Sequence, residues 1–257
     1  MARINPTKKV VLFLLEGSTD QYALGYTLSR LLSSRRIHFA LTQGDICCRN
    51  GITPDTACRV LQSVIQRFLR ESKFRRSDML CVIHILDTDG AFIPPERVVY
   101  NRKVKTVYYI DRIETAFTDS TRLRNHAKRE AADRLSGMDQ INGIPYTLRF
   151  FSRNREHVLH NKAGNISGKE KRRLAAEFDA RYGDHPLAFL DFLLSPEVAV
   201  PCGDESSWPF IMEGVHSLER YTNLGPPLVR LRETDGRSFA ARESSKDTPG
   251  SLQDSAK

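Results

Sequence analysis

Met79-Leu80-Cys81-Val82-Ile83-His84-Ile85-Leu86 runs directly into Asp87-Thr88-Asp89-Gly90. A continuous apolar run of this length reads as a strand covered on both faces, as in a parallel sheet. An earlier stretch repeats the pattern, with Val10-Val11-Leu12-Phe13-Leu14-Leu15 ending in Glu16-Gly17-Ser18-Thr19-Asp20. In open parallel sheets, sites form just beyond the carboxyl ends of the strands. Two adjacent strands of this kind bring up to four acidic side chains to one edge. Crowded carboxylates repel unless a proton or a cation neutralises them. Hard oxygen ligands in that number suit a divalent ion such as Mg2+. The two runs predict an α/β sheet with a metal site at its edge.

The segments around them support that order. Lys8 to Leu15 reads as the first strand. Ser18 is placed to cap the next helix, with Gln21 in the reciprocal capping-box position, and Leu24, Leu28, Leu31 and Leu32 form its apolar stripe. Ile37 to Leu41 is a second short strand. Pro54 suits the first turn of a helix, in which Val60, Leu61, Val64, Ile65, Phe68 and Leu69 recur at helical spacing. The β-α-β-α-β order ending at Leu86 predicts a mainly parallel sheet with right-handed helical crossovers.

Farther along, Val104 to Ile110 and Tyr146 to Phe151 read as strands, and Arg122 to Leu135 as a polar, basic helix. Ser167 to Tyr182, Pro186 to Leu194 and Pro209 to Tyr221 read as helices, with Gly225-Pro226-Pro227 stopping the last. From about Glu233 the chain turns to Ser, Asp, Lys and Gly, a composition that predicts disorder. The expected organisation is a catalytic domain over 8–160 with an insertion at about 91–145, a helical elaboration over 161–228 and a disordered tail over 229–257.

The 257 residues carry a formal net charge of +8 and 40% apolar residues, with an isoelectric point near 9.4. That balance favours an anionic partner, and nucleic acid, DNA or RNA, is the commonest. Basic residues cluster at Arg35-Arg36, Arg70 to Arg76, Arg102 to Lys105, Arg122 to Arg129 and Lys169 to Arg173; taken singly, each reads more readily as a solvated helix face or loop than as a contact surface. No stretch reaches the ~18 apolar residues that span a bilayer, so no membrane is expected. The five cysteines include an adjacent pair, Cys47-Cys48, and no C-x-x-C. That usage argues against a disulfide framework or a zinc site and fits a reducing cytoplasm. Oligomeric state is not legible.

The chemistry at the strand ends follows from the residue types. Phosphoryl transfer needs the attacking and leaving oxygens held in line and charge-stabilised, which carboxylate-bound Mg2+ or Mn2+ provides. Glu16 can bind metal or act as general base for a water. Asp87 and Asp89, two residues apart in an extended segment, face one side and can share an ion. Gly17 and Gly90 allow the turns that follow each strand. Asp20 sits one helical turn beyond the first strand, within reach of a second ion or a bound water. His84, inside an apolar run, reads as a core residue.

The pattern Glu16-Gly17-x-x-Asp20 after one strand and Asp87-x-Asp89 after a later one resembles the Toprim domain of topoisomerases, bacterial primases and OLD-family nucleases. The resemblance covers residues 10–32 and 79–90. It extends to 147–160, where Phe151-Ser152-Arg153-Asn154-Arg155-Glu156-His157-Val158-Leu159-His160 resembles a strand-then-glutamate-helix element of the OLD-like and RloB-like Toprim proteins of phage defence. The usual Cys-Phe-Glu core is Asn154-Arg155-Glu156 here. The resemblance implies a metal-dependent nuclease with Glu16, Asp87 and Asp89 as metal ligands, and Glu16, Asp20, Asp87, Asp89 and Glu156 as catalytic residues. It also implies Mg2+ or Mn2+ as cofactor and a role in phage defence. No G-x-x-x-x-G-K-[ST] motif occurs, so an ATPase subunit, where one is needed, is a separate chain.

Two other readings remain open on the same residues. Asp87-Thr88-Asp89-Gly90 resembles the nucleophile motif of haloacid-dehalogenase phosphatases. That motif follows the first strand and continues with Thr, whereas a β-α-β-α unit precedes it here and Ala91 follows. The third reading is a non-catalytic, Toprim-like nucleic-acid-binding or regulatory module.

Overall fold

The computed structural model describes residues 9–42, 45–47, 53–162, 164 and 166–233. Its centre is a five-stranded sheet. Strand β1 (Val10–Leu15) pairs in parallel with β2 (Arg36–Leu41) on one side and with β3 (Met79–Asp87) on the other. Beyond β3 lie β8 (Ile144–Phe151), also parallel, and the antiparallel edge strand β7 (Gln140–Ile141). The fold is α/β and Rossmann-like, with a mostly parallel sheet between helical layers.

The two apolar runs behave as buried central strands because both faces are covered. In β1, Val10, Leu12 and Leu14 pack into one core with Ala57, Leu61 and Ile65 of α2 (Pro54–Ser72) and Ala131, Ala132 and Leu135 of α3 (Thr118–Ser136). Val11, Phe13 and Leu15 enter the opposite core with α1 (Ser18–Leu31), α4 (Arg155–His160), α5 (Gly168–Tyr182) and α6 (Pro186–Leu194). Strand β3 divides the same way, with Val82 and Leu86 on the α2/α3 face and Ile83 and Ile85 on the other. Each large side chain so buried is worth roughly 1.5–3 kcal/mol. Helix α1 crosses from β1 outward to β2, and α2 returns past β1 to β3. The strand order therefore reverses between β1 and β3, the point where α/β sheets open a binding crevice.

Between β3 and α3 the chain forms a second, three-stranded sheet of β4 (Val98–Tyr100), β6 (Ile113–Thr115) and β5 (Thr106–Tyr108). Its inner face, with Val98 and Ile113, packs on Ile93 and Leu218. The expected strand at Val104 to Ile110 is thus only three residues long.

Several local expectations are corrected. The cap of α1 is Gly17, not Ser18, and Asp20 takes the reciprocal position, accepting from Gly17 N at 3.1 Å. The region read as a helix from Pro209 to Tyr221 is a short α7 (Ser207–Ile211) and a single 3-10 turn at His216–Leu218, broken at Gly214, which has φ +53°. Gly225-Pro226-Pro227 starts a helical stretch over 225–233 instead of stopping one. Proline in a first turn lacks only an N–H that has no helical acceptor. Leu228 and Leu231 of that stretch are buried, so ordered chain extends past residue 228; the rest of the expected tail lies outside the described residues. Among the described residues, no helix is long and apolar enough to cross a membrane.

Candidate functional site

Glu16 follows Leu14 in the alternation of β1 and so emerges on the α2/α3 face, whereas Asp87 follows Ile85 of β3 and emerges on the α1/α4 face. The two meet across the strand pair, with Asp87 N–H donating to Glu16 Oε1 at 3.3 Å. Each then belongs to its own group of charges.

On the α2/α3 side, Lys128 of α3 is fully buried, and its Nζ lies 2.6 Å from both Asp89 Oδ2 and Asp45 Oδ2. Asp45 follows β2, so a third strand end contributes an acid, and its Oδ1 accepts from Cys47 N–H at 2.7 Å. On the α1/α4 side the guanidinium of Arg155 reaches three ways. Its Nη2 donates to Glu156 Oε1 at 2.6 Å, its Nη1 to Thr19 O at 2.9 Å, and its Nε lies 3.4 Å from Asp20 Oδ1. Arg155 N–H donates to Asp87 Oδ1 at 3.1 Å. Lys171 of α5 stands 3.6 Å from Glu156.

The backbone between the two groups is tightly wound. Asp89 has φ +50° and Gly90 φ +62°, both left-handed. This overturns the expectation that Asp87 and Asp89 share one side of an extended segment: the turn carries Asp89 toward Lys128 and leaves Asp87 facing Arg155. Thr88 pins the turn, its N–H donating to Phe151 O at 3.0 Å, its hydroxyl donating to Ser217 O at 3.0 Å and accepting from Arg153 N–H at 2.6 Å. Asp89 N–H donates to Arg153 O at 2.7 Å.

The carboxylates outnumber the cations that reach them, and the proton affinities record it. Burial, opposed by Lys128 and reinforced by Asp45 and Asp89, pushes the Glu16 carboxyl up to about 8. Asp87 is held well above the usual carboxylate range by burial and by the charges of Glu16, Asp20, Asp89 and Glu156. Asp20 is raised by burial in spite of Arg155. For Glu156, burial works upward, but Arg155 and Lys171 outweigh it and bring the carboxyl below its ordinary value. Glu156 is therefore a fixed anion, only 2% exposed and locked in an ion pair.

All five expected acids thus gather at one edge, in two groups rather than around one ion. Among the described residues, no three acidic, histidine or cysteine side chains close on a single point as a finished metal cage. The donor chemistry nevertheless fits Mg2+ or Mn2+: the oxygens are hard, negative charge is in surplus, and Mg2+ is commonly held by only one or two carboxylates with water completing its shell. Glu16 and Asp87 are the adjoining pair, and Asp89 is the third donor within reach of their field.

Three residues were not singled out from sequence. Lys128 was readable in principle: it stands in the buried stripe of Thr121, Asn125, Ala132 and Leu135, where a lysine demands an anionic partner. Asp45 could have been found by applying the strand-end rule to the second strand. Nothing local marks Arg155. His84 is a core residue as expected, its Nδ1 3.0 Å from the Tyr146 hydroxyl and its proton affinity pushed down to about 4 by burial. In the basic run of α5, Arg173 pairs with Glu170 and Glu177, so that side is a solvated helix face and only Lys171 turns to the site. No family model matches the chain, and neither the curated proteins nor the solved structures include a significant match to it.

Proposed function

We propose that this chain is a metal-dependent nuclease of Toprim type, cleaving nucleic-acid phosphodiesters at the β1/β3 edge. The observation that carries the reading is the Asp87 N–H to Glu16 hydrogen bond at the strand-order reversal, inside a cluster with surplus negative charge. Glu16, Asp87 and Asp89 are the residues that would hold Mg2+ or Mn2+. The ion, when bound, supplies charge stabilisation to the phosphoryl oxygens and lowers the pKa of a water. Glu16, with a carboxyl titrating near neutrality, can take and hold a proton at its carboxylate oxygens. Arg155 orients Asp20 and Glu156 and favours the anionic form of Glu156. Lys128, buried between Asp45 and Asp89, anchors Asp89 at the edge. The basic composition of the chain agrees with a polyanionic substrate.

The reading is tested by incubating the protein with a panel of single- and double-stranded DNA and RNA, tRNA included, with Mg2+, with Mn2+ and with EDTA. Cleavage that needs the metal and disappears in Glu16→Gln and Asp87→Asn supports it; equal cleavage by wild type and both variants refutes it. One observation favours a second reading, a non-catalytic nucleic-acid-binding module: Lys128 and Arg155 already supply internal cations to both carboxylate groups. On that reading the protein binds nucleic acid, cuts none, and gains no thermal stability from Mg2+.

A further inference from the structure

We propose that the small β4-β6-β5 sheet is a binding platform for single-stranded nucleic acid, delivering an unpaired strand to the carboxylate edge. This rests on the nuclease reading for its purpose but not for its test. The sheet is joined to the site at one end. Arg124 donates from Nη2 to Asp89 O at 3.3 Å and from Nη1 to the Tyr108 hydroxyl at 3.3 Å. Arg153 donates to Tyr108 O at 2.9 Å, with its guanidinium 5.2 Å from the Tyr108 ring centre. The β5–β6 tip is thereby fixed beside the turn that carries Asp89.

That tip, Tyr109-Ile110-Asp111-Arg112, opens two apolar side chains to solvent, while its acid is paired with Arg112 and Arg97. Tyr109 is 37% exposed and Ile110 70% exposed. The Tyr109 ring is backed by the Arg112 guanidinium at 4.2 Å, and Arg112 is itself locked by Glu114, with Nε donating at 2.9 Å. A ring held this way loses little freedom when a base stacks on it. At the opposite end of the sheet, about 10 Å away for strands of three residues, Tyr100 is 63% and Phe117 56% exposed. The turn beside them carries Arg102, Lys103 and Lys105, all exposed. Exposed aromatics interleaved with cations are what a single strand requires, since every unpaired base offers a stacking face and every link a phosphate. A duplex hides its base faces and gains from the cations alone.

Binding is measured by fluorescence anisotropy in EDTA, so that no cleavage intervenes, with a labelled 12-nucleotide oligo-dT strand and a mixed-sequence 12-base-pair DNA duplex. Tyr109→Ala combined with Ile110→Ala is expected to weaken single-strand binding about tenfold or more, with the duplex little affected and the salt slope unchanged. Tyr109→Trp keeps a stacking face and is expected to retain the affinity, which separates stacking from a folding defect. Replacing Arg102, Lys103 and Lys105 by Ala is expected to flatten the salt slope for the single strand by about two units. Unchanged single-strand affinity in the Tyr109/Ile110 variant, or an equal loss for the duplex, overturns the proposal. Absence of metal-dependent cleavage alongside these binding effects removes the nuclease reading and leaves the platform standing.

Discussion

The Lys128 ammonium lies 2.6 Å from the Asp89 carboxylate with no solvent exposure of its own. A buried ammonium is tolerated only where carboxylates compensate it, and breaking such a set by removing one partner costs about 3–5 kcal/mol. Asp89 is about one-third exposed, so the lower end applies. Lys128→Met is expected to lower the metal-free melting temperature. Because it leaves Glu16, Asp45 and Asp89 uncompensated, added Mg2+ should raise the melting temperature more in the variant than in wild type. Equal Mg2+ shifts in the two proteins, read by differential scanning fluorimetry, would count against a cation site at this edge.

The proton affinities predict how metal-free stability varies with pH. Glu16 titrates near 8 in the fold against an ordinary value of 4.5, so the folded chain holds its proton more tightly than the unfolded chain. That stabilisation is complete below about pH 4.5 and is lost as pH rises through 8. Asp87 acts in the same direction. His84 and His157, both pushed down to about 4 by burial from 6.5, act oppositely: their contribution is complete above 6.5 and lost as pH falls toward 4. Between pH 6.5 and 8 only the carboxyls remain. Urea midpoints in EDTA should fall across that interval, and Glu16→Gln should make the fall shallower. A wild-type midpoint that is flat or rising there would show that Glu16 is not protonated in the fold.

Arg155 makes its three side-chain contacts in three directions. A lysine offers a single point charge and cannot reproduce that fork. Arg155→Lys and Arg155→Met are both expected to destabilise the chain, the second by about 3 kcal/mol because Glu156 is left buried with only the more distant, partly exposed Lys171 to compensate it. Equilibrium urea unfolding with an unchanged slope provides the measure. Full rescue by lysine would mean that charge alone matters at this position.

Gly90 has φ +62°, and a Cβ there would run into the Leu218 side chain. Gly90→Ala should therefore strain the turn and displace Asp89 from Lys128. The expected loss is about 1–3 kcal/mol, together with reduced cleavage in the nuclease assay. A variant with wild-type melting temperature and wild-type activity would show that the turn yields without consequence.

Under the proposed chemistry, Glu16→Gln and Asp87→Asn should each reduce cleavage by about 10² or more. Asp20→Asn should cost less, since Asp20 is occupied by Gly17 N–H and Arg155 and serves position more than chemistry. Single-turnover rates on the best substrate of the panel decide the ranking. A larger loss for Asp20→Asn than for Glu16→Gln would reverse the roles.

What the chain determined by itself is the sheet and the strand ends. Runs apolar at every position, such as Val10 to Leu15, or at all but one, such as Val82 to Leu86 with His84, have one stable environment, a layer covered on both faces, and the acids that follow them must emerge at its edge. Helices with local punctuation were equally legible: Pro54 opens α2, Ser167 caps α5, and Pro186–Leu194 falls where its proline and apolar run place it. Only the tertiary structure decided how the acids divide. Two left-handed residues at Asp89 and Gly90 turned an apparent Asp-x-Asp pair to opposite sides, a backbone choice fixed by the bonds of Thr88 to Ser217 and Arg153 in distant parts of the chain. The counter-charges came from equally far away, Lys128 from 39 residues beyond Asp89 and Arg155 from a helix that reaches the site only because β8 lies beside β3. Burial patterns are local and periodic, and a sequence displays them. Electrostatic compensation is settled by whichever charges the packed elements bring within a few ångströms, and that depends on the whole fold.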